Sequence, residues 1–198
     1  MGKAQLVCPE GRSAPLPIYV WQNWFDHSAG EHKAVRESVG LFDQSSFGKF
    51  ILEGADAETV LNQICANDVS VPVGRMVYTQ WLNHRGGIEA DLTITRESET
   101  RFLVVTAAAT QTRGLAWLKR NIPDDARAIA VDVTSTYSVV GLMGPRSREV
   151  LSGLTDADLS NDMFPFATSQ EFDLAYARVR ESRITYVGEL GWETLRSD

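Results

Sequence analysis

The chain has little of what marks several common functions. It holds two cysteines, Cys8 and Cys65, in 198 residues. Two thiols build no disulfide framework, and that usage points to a reducing compartment, read here as cytoplasmic. The three histidines, His27, His32 and His84, have no ligand spacing with either cysteine, so no metal site is expected. No apolar run approaches the ~20 residues of a membrane span. No charged start followed by an apolar stretch opens the chain, so no secretory signal is read. No G-x-G-x-x-G follows a strand and opens a helix, which removes a Rossmann-type site for FAD or NAD. Basic residues are outnumbered, 19 Lys and Arg against 26 Asp and Glu, for a net charge of −7. They are scattered, so neither nucleic acid nor an anionic membrane is an expected partner.

What is present is an ordinary globular composition, 43% hydrophobic and 23% charged. The length suffices for one good core and part of a second. Residues 1–23 are rich in Pro and Gly without a steady period and read as an extended arm or linker. A first subdomain is expected over 24–135 and a partial second over 136–198. Helices are expected over Glu31–Val39, from an N-cap at Asp56 through Ile64, after a cap at Thr110, and from Gly144-Pro145 through Leu151. Cys65 falls on the apolar face of the second and reads as a small core residue. Strands are expected over Phe47–Leu52, Met76–Leu82, Ile88–Arg96, Arg101–Thr106, Ala128–Val133, Tyr137–Met143, Glu171–Val179 and Arg183–Val187. Strands and helices mix without regular βαβ alternation, so the class is α+β.

Two segments carry the chemistry. In Tyr78–Thr95, YTQWLNHRGGIEADLTIT, residues Ile88, Ala90, Leu92 and Ile94 share one face of a strand. Glu89, Asp91, Thr93 and Thr95 share the other. The apolar set must face the core, so Asp91 points to water or into a polar cleft. In Ser182–Glu193, SRITYVGELGWE, two glycines lie between aromatics and carboxylates. Such a loop lets a flat ligand approach closely. A carboxylate there can accept two adjacent N–H groups, such as those of a 2-amino-4-oxo-pterin edge, and an aromatic ring can form a stacking wall. Read as residues alone, both segments also fit an ordinary solvated hairpin.

These segments stand in order with EHKAVRESVGLFDQSSFGKF (31–50), NDV (67–69), FLVVTAAATQTRGLAWL (102–118) and GLMGPRSREVL (141–151). Together they resemble the aminomethyltransferase (glycine-cleavage T-protein) family. The nearest likeness is to the folate-dependent C-terminal region of dimethylglycine and sarcosine dehydrogenases. The resemblance implies mixed sheets and helices around a central folate cleft. It implies Asp91 as the catalytic acid, with the position of a first acid taken by Ala90. It implies Tyr78, Tyr186 and Glu193 at the folate, and Thr106 where the family often has Asn. The implied reaction moves a one-carbon unit from an amine-derived donor to tetrahydrofolate, giving 5,10-methylenetetrahydrofolate, with an aspartate taking or countering the proton at N10. Flavin chemistry would belong to an upstream dehydrogenase domain. The family pattern continues beyond Glu193, so an incomplete site and strands free to pair with a second copy are also expected. Two other readings stay open: a non-catalytic folate binder, and a structural or assembly module of a larger dehydrogenase.

Overall fold

A computed structural model describes residues 24–197. The expected arm at 1–23, and Cys8 with it, lie outside the described residues. In chain order the elements are α1 (Phe25–Glu37), β1 (Gly40–Asp43), β2 (Gly48–Glu53), α2 (Ala57–Ile64), β3 (Met76–Leu82), β4 (Ile88–Ser98), β5 (Arg101–Thr106), α3 (Gln111–Arg120), β6 (Ile129–Asp132), β7 (Tyr137–Met143), α4 (Ser147–Ser152), β8 (Ser169–Leu174), β9 (Ala177–Ser182) and β10 (Gly191–Ser197). The strands form two five-stranded sheets, ordered β3-β4-β5-β2-β6 and β1-β7-β10-β9-β8. Their pairings are antiparallel. Helices pack beside them, and the class is α+β.

Alternation of side chains along each strand sorts residues onto faces. One face of the first sheet carries Phe50, Leu52, Trp81, Leu92, Ile94, Phe102 and Val104. With Val60, Leu61 and Ile64 of α2 and Leu118 of α3 they form the main core. Each aliphatic side chain so covered stabilises the fold by about 1.5–3 kcal/mol. One face of the second sheet carries Leu142 and Trp192, covered by Leu151, Leu159 and Phe164. The remaining faces meet each other, Ile51 and Leu103 against Val139 and Leu195. That sheet-on-sheet contact positions the site.

Glu97 ties the two sheets together. Its side chain, 8% exposed, accepts from Arg101 of its own sheet at 2.9 Å and from Arg180 of the other at 3.0 Å. At two strand-to-helix corners only glycine fits. Gly54 (φ 143°) would place a Cβ 2.0 Å from the Arg127 carbonyl oxygen, and Gly144 (φ 133°) 2.4 Å from that of Ser38.

Several expectations are corrected. Glu171–Val179 is a hairpin of β8 and β9, turned at Ala175 (φ 51°), where no Gly or Asn announces a turn. Arg183–Val187 is a loop. The last described strand is β10, Gly191–Ser197, a stretch over which no strand was expected. Helix α1 starts at Phe25, ahead of the expected Glu31, and buries no residue. Asp56 and Thr110 stand at helix starts without capping them. Asp56 instead accepts the backbone N–H and the guanidinium of Arg127, and Thr110 donates to the Ala107 carbonyl. For Asp56 an ion-pair partner far along the chain outcompetes the local cap.

Candidate functional site

The β3–β4 hairpin sets the first half of the site. Its turn is held by Asn83, whose side-chain oxygen accepts the N–H groups of Arg85 and Gly87. Ala90, Leu92 and Ile94 are buried as the alternation requires. Ile88 is 66% exposed, because the pairing slips between Trp81 and Leu82 at the hairpin end. Ala90 lies in the main core. An acid at that position would sit among apolar side chains, away from the cleft face, which accounts for a small residue there.

Asp91 is exposed on the opposite face, the one that meets the second sheet. Gln80, directly across in the register, donates its amide to Asp91 Oδ1 at 3.0 Å. Tyr78, two residues back on the same face and 59% exposed, has its phenol pKa raised by the neighbouring Asp91 carboxylate. Tyr78, Gln80 and Asp91 therefore form one polar cluster with the phenol kept protonated. Gln80 escaped the sequence reading. The signal that would have found it is its position on the same face as Tyr78. Thr106 goes elsewhere. It is 3% exposed on the core face, and its hydroxyl donates to the backbone carbonyl of Asp91 at 3.1 Å. It fixes the strand under Asp91 and does not reach the cleft face.

The second half comes from β10 and the loop before it. Glu193 pairs with Gly141 of β7 and Ser182 of β9. It lies on the face of Leu195 and Val139, toward the first sheet. It is 9% exposed, and burial pushes its pKa up to about 7. No described side chain donates a hydrogen bond to it. Beside it, Gln44 is buried with Oε1 unpartnered. Tyr186 is 77% exposed on the loop and meets Phe47 edge-on, ring centroids 6.4 Å apart. Phe47 is placed by the wholly buried Lys49, whose ammonium donates to the Phe47 and Ser45 carbonyls, each at 2.8 Å. Desolvation lowers the Lys49 pKa. The same loop is anchored by Arg36 on Glu189 at 2.6 Å and by Ser147 on the Leu190 carbonyl at 3.0 Å.

The structure thus places Tyr78 and Asp91 on one face and sets Glu193 on the opposing sheet's inward face. Tyr186 stands on the loop leading into β10. A cavity of about 300 Å³ also opens between the sheets, lined by Glu97, Arg101, Tyr137, Arg180 and Leu195 among others. It lies six residues along β4 from Asp91, and Arg101 and Arg180 there are already paired with carboxylates.

Comparison with known proteins shows the family and the fold. The family model described as the GCVT N-terminal domain matches residues 7–197. The 4-methylaminobutanoate oxidase (formaldehyde-forming) of Paenarthrobacter nicotinovorans is 43% identical over 171 residues, which is 86% of this chain and 21% of that protein. The mitochondrial dimethylglycine dehydrogenase of Mus musculus is 35% identical over 178 residues, 89% of this chain and 20% of that one. The crystal structure of the glycine cleavage system aminomethyltransferase T from Bartonella henselae superposes with a TM-score of 0.72 at 28% identity, covering 85% of this chain and 44% of that one. The chain spans about a fifth of the length of those two curated relatives. Among the described residues no helix is long and apolar enough to cross a membrane.

Proposed function

The chain belongs to the family of the GCVT N-terminal domain, and on that premise we propose that its inter-sheet site binds tetrahydrofolate and serves one-carbon transfer. The observation that carries this reading is Glu193. A carboxyl 9% exposed, with no donor from any described side chain, is poorly satisfied by the protein itself. A pterin edge offers the paired N–H donors it lacks. Tyr186 and Tyr78 offer exposed rings for stacking. The residues present fit the group.

Bound there, tetrahydrofolate supplies the nitrogen nucleophiles that accept a one-carbon unit at the formaldehyde oxidation level. The chain's own contribution is orientation and proton handling. Glu193 fixes the ring, and Gln80 holds the Asp91 carboxylate in one orientation. Asp91 takes the proton released, or stabilises positive charge, at the folate's second nitrogen. The donor is an amine-derived one-carbon group. Two relatives are by name an amine oxidase that forms formaldehyde and a dimethylglycine dehydrogenase. The oxidising flavin part would accordingly lie in a separate upstream region, and the product would be 5,10-methylenetetrahydrofolate.

Isothermal titration of the chain with tetrahydrofolate tests this. Saturable binding that Glu193→Ala abolishes is the expected result. Absence of binding at millimolar ligand overturns it and leaves a structural module of a larger dehydrogenase. That second reading is favoured by one observation, the fifth of each relative that the chain represents.

A further inference from the structure

Two arginines meet behind the second sheet. Arg148 lies on α4, and Arg183 is the first residue after β9. Their Nη2 groups both donate to Oδ1 of the exposed Asn161, at 2.6 and 2.8 Å. Arg183 also donates to the Phe164 carbonyl at 2.5 Å, whereas Arg148 has no other acceptor among the described residues. Both guanidiniums lie over the ring of Trp192, 5.6 and 5.7 Å from its centroid. Trp192 is wholly buried in the second core, on the face of β10 away from Glu193.

Two cations thus share one neutral acceptor. The neighbouring acids are committed elsewhere. Glu149 pairs with Arg146, and Asp158 accepts the Ser160 N–H. Glu181, two residues before Arg183 and opposite Thr194 in the β9–β10 register, is wholly buried and accepts the Thr194 hydroxyl. Among the described residues no carboxylate, that of Asp162 beside Asn161 included, forms an ion pair with Arg148 or Arg183. Other half-buried arginines are neutralised: Arg96 by Glu58, and Arg180 by Glu97 and Glu171. Donors also outnumber acceptors here. Arg148 Nε, Arg183 Nε and Trp192 Nε1 are buried without a partner. Desolvation, and after it the charge of Arg148, lower the Arg183 pKa, yet a guanidinium stays charged at neutral pH. Holding two such charges together without an anion costs free energy.

We propose that Arg148 and Arg183 form a binding site for an oxyanion, the carboxylate or phosphate group of a small ligand, seated where the two guanidiniums converge on Asn161. The planar fork of a guanidinium matches two oxygens of such a group, and a charged acceptor bonds more strongly than the amide oxygen now shared. The convergence point is open, since Asn161 is exposed. Arg183 stays anchored on the Phe164 carbonyl, and Arg148, held only through Asn161, is free to turn its remaining N–H groups to the ligand. Rotation of the Asn161 amide presents its NH2 to the same anion. The site lies on the opposite face of the sheet from Glu193, so it stands apart from the folate reading.

The full chain tests this with inorganic phosphate and with acetate, each against chloride at equal ionic strength. In the parent, phosphate is expected to shift the Trp192 indole N–H signal in NMR saturably, and to raise the melting temperature by about 3 °C at about ten times its Kd. A matching response to acetate marks a site for carboxylates as well, and a response to phosphate alone marks a site for phosphate esters. Arg148→Gln is expected to lose the saturable shift. In chloride it is expected to melt within about 1 °C of the parent, because relief of the repulsion with Arg183 offsets the lost contact with Trp192. General salt effects on stability persist in the variant and cancel in the comparison. No saturable shift with either anion overturns the site. A shift of equal size in Arg148→Gln means an adventitious ion only and overturns it too. A loss of stability in Arg148→Gln as large in chloride as in phosphate makes the pair a brace for the segment around Asn161 and likewise overturns it.

Discussion

Glu193 stands directly opposite Gly141 in the pairing of β10 with β7, and the missing side chain leaves the space into which Gln44 and the end of Met143 extend. A Cβ on Gly141 would lie 2.9 Å from Met143 Cε and 3.2 Å from Gln44 Oε1. The methionine tip can yield, but the buried amide has less room. Gly141→Ala is expected to destabilise the fold by about 1–3 kcal/mol, the usual result of overpacking. Urea unfolding measures it, and an unchanged midpoint would show that Gln44 swings away freely.

Asp91 accepts from Gln80 and stands beside Tyr78 on the same face. Asparagine preserves shape and one acceptor oxygen while removing the charge and the basic site. Asp91→Asn is expected to keep tetrahydrofolate affinity within about threefold and to lower turnover by about 10²-fold or more, the scale of general acid–base catalysis. The assay uses a full-length protein containing this region. Undiminished turnover would take Asp91 out of the reaction.

Glu97 joins the two sheets through Arg101 and Arg180. Its removal leaves Arg101 with Glu53 and Arg180 with Glu171, but no carboxylate linking the two sheets. Glu97→Ala is expected to cost about 2–4 kcal/mol, toward the range for breaking a buried pair, reduced by the partial exposure of both arginines. Thermal unfolding at low and high salt reports it. A loss below about 0.5 kcal/mol would mean that hydrophobic contact alone holds the sheets together.

Glu181 and Glu193 have folded-state pKa values of about 7 against an ordinary 4.5. Their neutral forms are the ones the fold favours. Between those two values the folded chain holds more protons than the unfolded one, so stability falls as pH rises from 4.5 through 7 and levels above it. The loss is on the order of 3 kcal/mol per group at most. Glu181→Gln is expected to flatten that decline between pH 5 and 8, as read by denaturant midpoints. A decline as steep as the parent's would place the strain elsewhere.

Cys65 packs against the main core and pairs through its backbone with Trp81. Desolvation pushes its thiol up to about 12. In a Cys8→Ala chain the remaining thiol is expected to react with a disulfide reagent at pH 8 only after unfolding. Prompt reaction in the native state would contradict its burial.

The parts of the fold legible in the sequence are those that local pattern specifies. The bounds of β3, β5 and β7 match the expected Met76–Leu82, Arg101–Thr106 and Tyr137–Met143, because apolar alternation and flanking turn residues mark them. The β8–β9 hairpin was not legible. Ala175 adopts a positive φ that its neighbours impose, and no local residue type signals it. The same limit applied to caps, since Asp56 found Arg127, 71 residues away.

By itself the sequence determined which face of β4 carries Asp91, because a strand repeats every two residues and its apolar set must be covered. The family pattern in the order of its segments marked Tyr78, Tyr186 and Glu193. Only the tertiary structure decided what those residues meet. The contact of Ile51 and Leu103 with Val139 and Leu195 turns the Asp91 face and the Glu193 face toward one another. It also put Thr106 under the strand, Gln80 beside Asp91, and Glu181 behind Glu193. Those are relations between strands far apart in the chain, set by sheet packing and long-range register, and no local periodicity encodes them.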